Sequence, residues 1–102
     1  MRQYTIHLPV KYNDGTLVPL ERIDRIMEDA LAFFGGYSYD PTRIMGAWKD
    51  ETTGKNYIED MTRLVLATDN PSLLITFVKG LASKLDQEAM YMVDNGNVSF
   101  IK

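Results

Sequence analysis

The chain contains no cysteine and one histidine, His7. The first absence excludes disulfides, zinc–thiolate sites, iron–sulfur clusters and thiol nucleophiles together. The second excludes a multi-histidine metal centre within one chain, and no carboxylate cluster marks a magnesium or calcium site. No metal and no cofactor are therefore expected. His7 has no evident serine or cysteine partner, which argues against a Ser–His or metal-assisted hydrolase and for a satisfied strand histidine. Long apolar runs are missing too, so no membrane span is expected. Met1-Arg2-Gln3-Tyr4 leads straight into a strand pattern with no signal-peptide core, which with the missing cysteines fits the cytoplasm. No basic tract exceeds two residues. Eleven Lys+Arg stand against 14 Asp+Glu, for a formal net charge of −3 and a pI near 5.0, so broad contact with nucleic-acid phosphates is disfavoured.

What is present is globular. The 102 residues are 45% hydrophobic and 25% charged, which argues against disorder. Surface scaling gives about 5,800 Å² exposed when folded against about 17,000 Å² for the open chain. One domain, residues 1–102, can therefore hold a core without covalent staples.

Alternation over Tyr4 to Val10 predicts a half-buried strand, with Tyr4, Ile6, Leu8 and Val10 on one side. Pro9 places the end of that strand at an edge or bulge. Pro19 to Phe34 reads as a helix whose apolar stripe is Leu20, Ile23, Met27, Ala30, Leu31 and Phe34, stopped by Gly35-Gly36. Arg43 to Trp48 and Tyr57 to Thr68 read as strands of one hairpin. Asn70 as N-cap and Pro71 at the first position start a second helix, with Leu74, Phe77, Val78, Leu81 and Leu85 as its stripe. Ala89 to Val93 and Val98 to Ile101 are strands joined by the turn Asp94-Asn95-Gly96-Asn97. The order β-α-β-β-α-β plus a terminal strand predicts an α+β, ferredoxin-like sandwich, with one antiparallel sheet and two helices on one face.

Two helices cover one sheet face. On the Tyr57–Thr68 strand, however, both Ile58, Leu64 and Leu66 and the opposite set Tyr57, Met61 and Val65 are apolar. The uncovered face therefore calls for other copies of the chain, and a homo-oligomer is expected, a trimer in particular. Glu59 shares a side with Tyr57, Met61 and Arg63. A carboxylate in that place is costly unless paired. It forms either a salt bridge with Arg63 or Lys49, or a grip on a cationic ligand in a cleft, with Met61 beside it. Trp48 and Tyr57 flank the hairpin turn and are placed to pair across it. Tyr37 and Ser38, on the loop after the first helix, and Gln87, before the fourth strand, are candidate ligand contacts. Capping of the core edge and a solvated helix end are the respective alternatives.

The string Phe34-Gly35-Gly36-Tyr37-Ser38, then Gly46-Ala47-Trp48, then Glu59 in the next strand, then Gln87-Glu88-Ala89, resembles the phage-encoded S-adenosylmethionine (SAM) lyases, small α/β sandwiches of trimeric, GlnB-like architecture. The resemblance implies cleavage of SAM to methylthioadenosine and homoserine lactone at subunit interfaces of a homotrimer. Such activity in a host cytoplasm depletes the methyl donor and blunts restriction-modification. It implies Glu59 as the site glutamate, Trp48 or Tyr57 as the site aromatic, and Gln87 as the site glutamine. Intramolecular attack by the substrate's own carboxylate needs no general base, which suits a chain this poor in catalytic side chains. Two other readings stand beside it. One is a non-catalytic GlnB-like trimer that binds an adenine nucleotide or another small ligand. The other is a phage-borne interaction or inhibitor protein that uses the acidic face of the first helix.

Overall fold

The order of elements in the computed structural model, which describes residues 1–94 and 96–102, is β1 (Arg2–Pro9), α1 (Leu20–Phe34), β2 (Ser38–Lys49), β3 (Asn56–Thr68), α2 (Pro71–Lys84), β4 (Met90–Asp94) and β5 (Asn97–Ile101). The strands form one sheet in the order β2-β3-β1-β4-β5, every neighbouring pair antiparallel. The first four have the split β-α-β order expected from the sequence. β5 folds back on β4 with Asp94 opposite Asn97. Asn95 of the predicted turn lies outside the described residues, and Gly96 next to it has φ +81°.

Alternation decides which face is covered. Tyr4, Ile6 and Leu8 of β1, Leu64 and Leu66 of β3, and Met90 and Met92 of β4 are buried together with Ile26, Leu74, Val78, Leu81 and Leu85 from the helices. Each such side chain contributes about 1.5–3 kcal/mol relative to exposure. Pro9 is in the central strand rather than at a sheet edge. It is the last residue of β1 and pairs with Met61, whereas β4 pairs only with Tyr4, Thr5 and Ile6. The N–H that proline lacks is therefore not missed by β4.

Both helices lie on this face. Phe34 and Phe77 meet edge to face at 5.2 Å, and Lys84 reaches Asp29 at 3.2 Å. The Asn70 side chain accepts from the Leu73 N–H at 3.1 Å, as its capping position predicts. Gly35 ends α1 in the left-handed region, φ +77°, donating to the Leu31 carbonyl at 2.9 Å. The expected stripe of α1 needs correction. Leu20 and Leu31 are 80% and 54% exposed, while Ile26 is buried with Met27 and Ala30. The helix rests on the line Ile23, Ile26, Met27, Ala30 and Phe34. Leu31 falls on its flank, and Leu20 stands at its open first turn.

The second strand is longer than its pattern predicts. Ser38, Tyr39 and Asp40 already pair with Val65, Leu64 and Arg63, and the register shifts between Asp40 and Ile44. Pro41 lies in that bulge, tolerated because β2 is an edge strand. The bulge breaks the alternation, so this half of the strand looks like loop. Ala89 falls just outside β4.

The β2–β3 hairpin overhangs the rest of the sheet. β1 accompanies β3 only to Met61, with one further bond from the Val10 N–H to the Asp60 carbonyl at 3.1 Å. Neither helix covers the projecting part. Met45 and Ile58, on the helix side by parity, are 74% and 71% exposed. The arm helps explain a surface of 6652 Å², above the roughly 5,800 Å² expected for this mass.

Candidate active site

The sheet face away from the helices carries one row that crosses all five strands. Asp40 of β2 stands opposite Arg63 of β3, and Arg63 stands opposite His7 of β1. The His7 ring lies 4.6 Å from that of Tyr91 in β4, and Tyr91 stands opposite Phe100 of β5. Asp40 and Arg63 form an ion pair at 2.7 Å. Hydrogen bonding from Thr42 first, then the Arg63 guanidinium, holds the Asp40 carboxyl below its ordinary range. His7 is not the satisfied histidine expected. Its Nδ1 is buried without a hydrogen-bond partner among the described residues. Burial first, and the Arg63 charge second, hold its imidazole below the ordinary value of 6.5.

Further out on the same face, the overhanging hairpin brings four of the candidate residues together. Trp48 and Tyr57 are cross-strand partners, their rings stacked at 4.5 Å and 15°. Glu59 comes next on β3, half-buried, with Gly46 directly across from it. Met61 follows, and its methyl group occupies the space that a side chain at Gly46 would need. Glu59 thus stands opposite a position where β2 contributes no side chain of its own and the Met61 methyl group fills the space instead.

Of the two alternatives for Glu59, the salt bridge with Arg63 or Lys49 is absent among the described residues. Arg63 is bound to Asp40 instead. Lys49 pairs with Asn56 in the register, which puts it on the other face of the sheet. Lys55, at the turn, lies over the Tyr57 ring at 5.0 Å. Sequence reasoning missed Asp40, and it quoted Gly46 in a motif without placing it opposite Glu59. The strand parity of Arg63 was legible, but its partner depends on the bulge in β2.

The other candidates lie elsewhere. Ser38 pairs with Val65, six residues along β3 from Glu59, or about 20 Å at strand rise. Tyr37 and Ser38 line a pocket of about 300 Å³ with Gln3, Phe34, Gly36 and Ala67. Ser38 and Tyr39 belong to β2, not to a loop, and the Tyr39 hydroxyl donates to Thr62 at 3.0 Å. Gln87 lies between α2 and β4, its amide donating to the Leu85 carbonyl at 3.0 Å and to Asn13 at 3.4 Å. Within one chain, Glu59 and the Tyr37–Ser38 pocket are therefore separate. No group of three or more metal-ligating side chains occurs among the described residues, and no described helix is long and apolar enough to cross a membrane.

These features define an α+β protein with a five-stranded antiparallel sheet, two helices on one face and the Glu59 carboxylate of its overhanging hairpin on the other. The fold is similar to that of phage SAM lyases. A phage SAM lyase in complex with S-methyl-5′-thioadenosine matches with a TM-score of 0.70 and 13% identity, over 99% of this chain and 88% of the other. A phage SAM lyase in the apo state matches over the same shares with a TM-score of 0.62 and 15% identity. At these identities the likeness is one of fold. No protein-family model and no curated protein matches the sequence.

Proposed function

We propose that the chain is a SAM lyase, with Glu59 on the hairpin as its substrate-gripping carboxylate. The observation that carries this reading is an unpaired glutamate beside a stacked aromatic pair, on a fold similar to a lyase that holds methylthioadenosine. Trp48 and Tyr57 are the site aromatics, and Met61 forms the wall against Gly46.

The chemistry asks little of the protein. A carboxylate oxygen of SAM attacks its own γ-carbon as the bond from that carbon to sulfur breaks. The electron pair leaves with sulfur, the sulfonium becomes a neutral thioether, and no proton moves. The products are methylthioadenosine and homoserine lactone, which keeps its ammonium charge. The protein must fold the methionyl arm into an attacking geometry and exclude water. Charge decides what Glu59 should hold. The sulfonium loses its charge in the transition state, so a carboxylate bound there favours the ground state. The ammonium keeps its charge throughout, so binding it orients the arm without opposing the reaction. The Tyr57 hydroxyl orients the attacking carboxylate.

The Tyr37–Ser38 pocket receives the nucleoside end and Gln87 borders the site. Because that pocket and Glu59 are about 20 Å apart in one chain, we assign them to one site only across neighbouring copies of a homotrimer. The uncovered face is mixed, with Asp40, Arg63 and His7 across its middle, and its exposed apolar part, Val98 and Phe100, favours such an assembly. If the gene is carried by a phage, the activity would act in the host cytoplasm against restriction-modification.

The test is incubation with SAM and chromatographic detection of methylthioadenosine and homoserine lactone. Product formation that is lost in Glu59→Gln supports the reading. SAM binding without product would leave a ligand-binding module, and neither binding nor turnover would remove SAM as the ligand.

A further inference from the structure

We infer that Asp40 is a positioning residue for Glu59, keeping that carboxylate free for a cationic ligand by holding Arg63 away from it. The inference rests on the reading of Glu59 as a cation binder.

Two cations share the face of Glu59 along its own strand segment, and both are engaged. Lys55 lies over the Tyr57 ring at 5.0 Å. Arg63 is bound by Asp40 at 2.7 Å, through Nη2 to Oδ2. Arg63 and Glu59 are four residues apart on one side of a strand, about 13 Å along it. An extended arginine and an extended glutamate together nearly close that gap. Met61, between them, is turned onto Gly46. A released Arg63 therefore has Glu59, on the same side of its own strand, as the carboxylate left to turn toward.

Asp40 is itself fixed. Its Oδ1 accepts the Thr42 N–H at 2.9 Å inside the β2 bulge, while Oδ2 takes the guanidinium. The bulge thus aims one carboxylate at Arg63 and leaves the other, Glu59, unneutralised. Both partners of the pair are near two-fifths exposed, so solvent screening keeps the effect modest.

The experiment compares wild type with Asp40→Asn, Asp40→Glu and the double variant Asp40→Asn with Arg63→Gln. Asparagine retains an acceptor for the Thr42 N–H and removes only the charge. Asp40→Asn is expected to raise the KM for SAM about fivefold with kcat little changed. Asp40→Glu and the double variant are expected to return KM to the wild-type value. Rescue by deleting Arg63 distinguishes a sequestered cation from a merely structural contact, which the second substitution would leave broken. Solution mass is measured for each variant, so that altered assembly is not mistaken for altered affinity. A parallel titration with methylammonium, followed by Trp48 fluorescence, needs no turnover. If wild type neither binds nor cleaves SAM, the lyase reading fails while this titration still judges Asp40. Should Asp40→Asn fail to fold, Asp40→Ser takes its place. Unchanged KM and unchanged probe affinity in a folded Asp40 variant, or failure of the double variant to recover, overturns the inference.

Discussion

The Trp48 and Tyr57 rings are stacked across the β2–β3 hairpin, 15° from parallel with centroids 4.5 Å apart. The pair anchors the part of the hairpin that β1 does not accompany, and it sets the aromatic wall beside Glu59. Its two members are predicted to separate by experiment. Trp48→Ala should destabilise the protein by about 0.5–1.5 kcal/mol, measured by urea unfolding. Tyr57→Phe keeps the stack and should leave stability within about 0.5 kcal/mol. Loss of its orienting hydroxyl should lower kcat about tenfold. A Tyr57→Phe variant with full turnover would remove the hydroxyl from the mechanism.

Gly46 gives a second prediction. A methyl group there would collide with the end of the Met61 side chain. That end is flexible, so Gly46→Ala should change the melting temperature little. The methionine end, pushed off Gly46, should crowd the Glu59 carboxylate and raise the KM for SAM. A compensating Met61→Ala should restore it.

Assembly is checked by sedimentation equilibrium. The proposal expects a mass of about three chains, because the halves of the site come from different copies. A monomer at micromolar concentration would leave Glu59 and the Tyr37–Ser38 pocket apart and would refute the shared site.

Two groups give pH dependence of opposite chemical type. His7 is held below its ordinary value of 6.5, so the unfolded chain takes up its proton first. Its contribution is intact above that value, and stability declines as pH falls from 6.5 toward the folded-state value. Asp40 is held below 3.8, so its contribution is present above 3.8 and is lost as pH falls through its lower folded-state value. Urea unfolding from pH 8 to pH 3 should show both declines, and His7→Phe should abolish the upper one. Persistence of that upper decline in His7→Phe would assign it to another group.

The second helix gives a stability prediction independent of the site. Asn70→Ala removes the acceptor of the Leu73 N–H and should cost about 1 kcal/mol, whereas Asn70→Asp should be neutral. Equal melting temperatures for wild type and Asn70→Ala would show that the cap contributes nothing.

The sequence by itself determined the element order, the stop of the first helix, the start of the second and the covered side of β1. Those features rest on local chemistry: period-2 alternation at Tyr4, Ile6 and Leu8, the N-cap at Asn70, and glycine at a left-handed helix end. It also put Glu59, Tyr57 and Met61 on one side, since strand parity is fixed. Partner choice was decided only by the tertiary structure. Whether Arg63 meets Glu59 or Asp40 depends on the register of β2, and a bulge around Pro41 resets that register without leaving an alternating pattern. The exposure of Met45 and Ile58 was likewise illegible, because an apolar residue records which face it prefers, not whether a helix reaches that far. Separation of Glu59 from the Tyr37–Ser38 pocket followed from pairing Ser38 with Val65, a contact between residues 27 positions apart. Local propensity carries no information about such a contact, because it is fixed by how the whole sheet closes over its core.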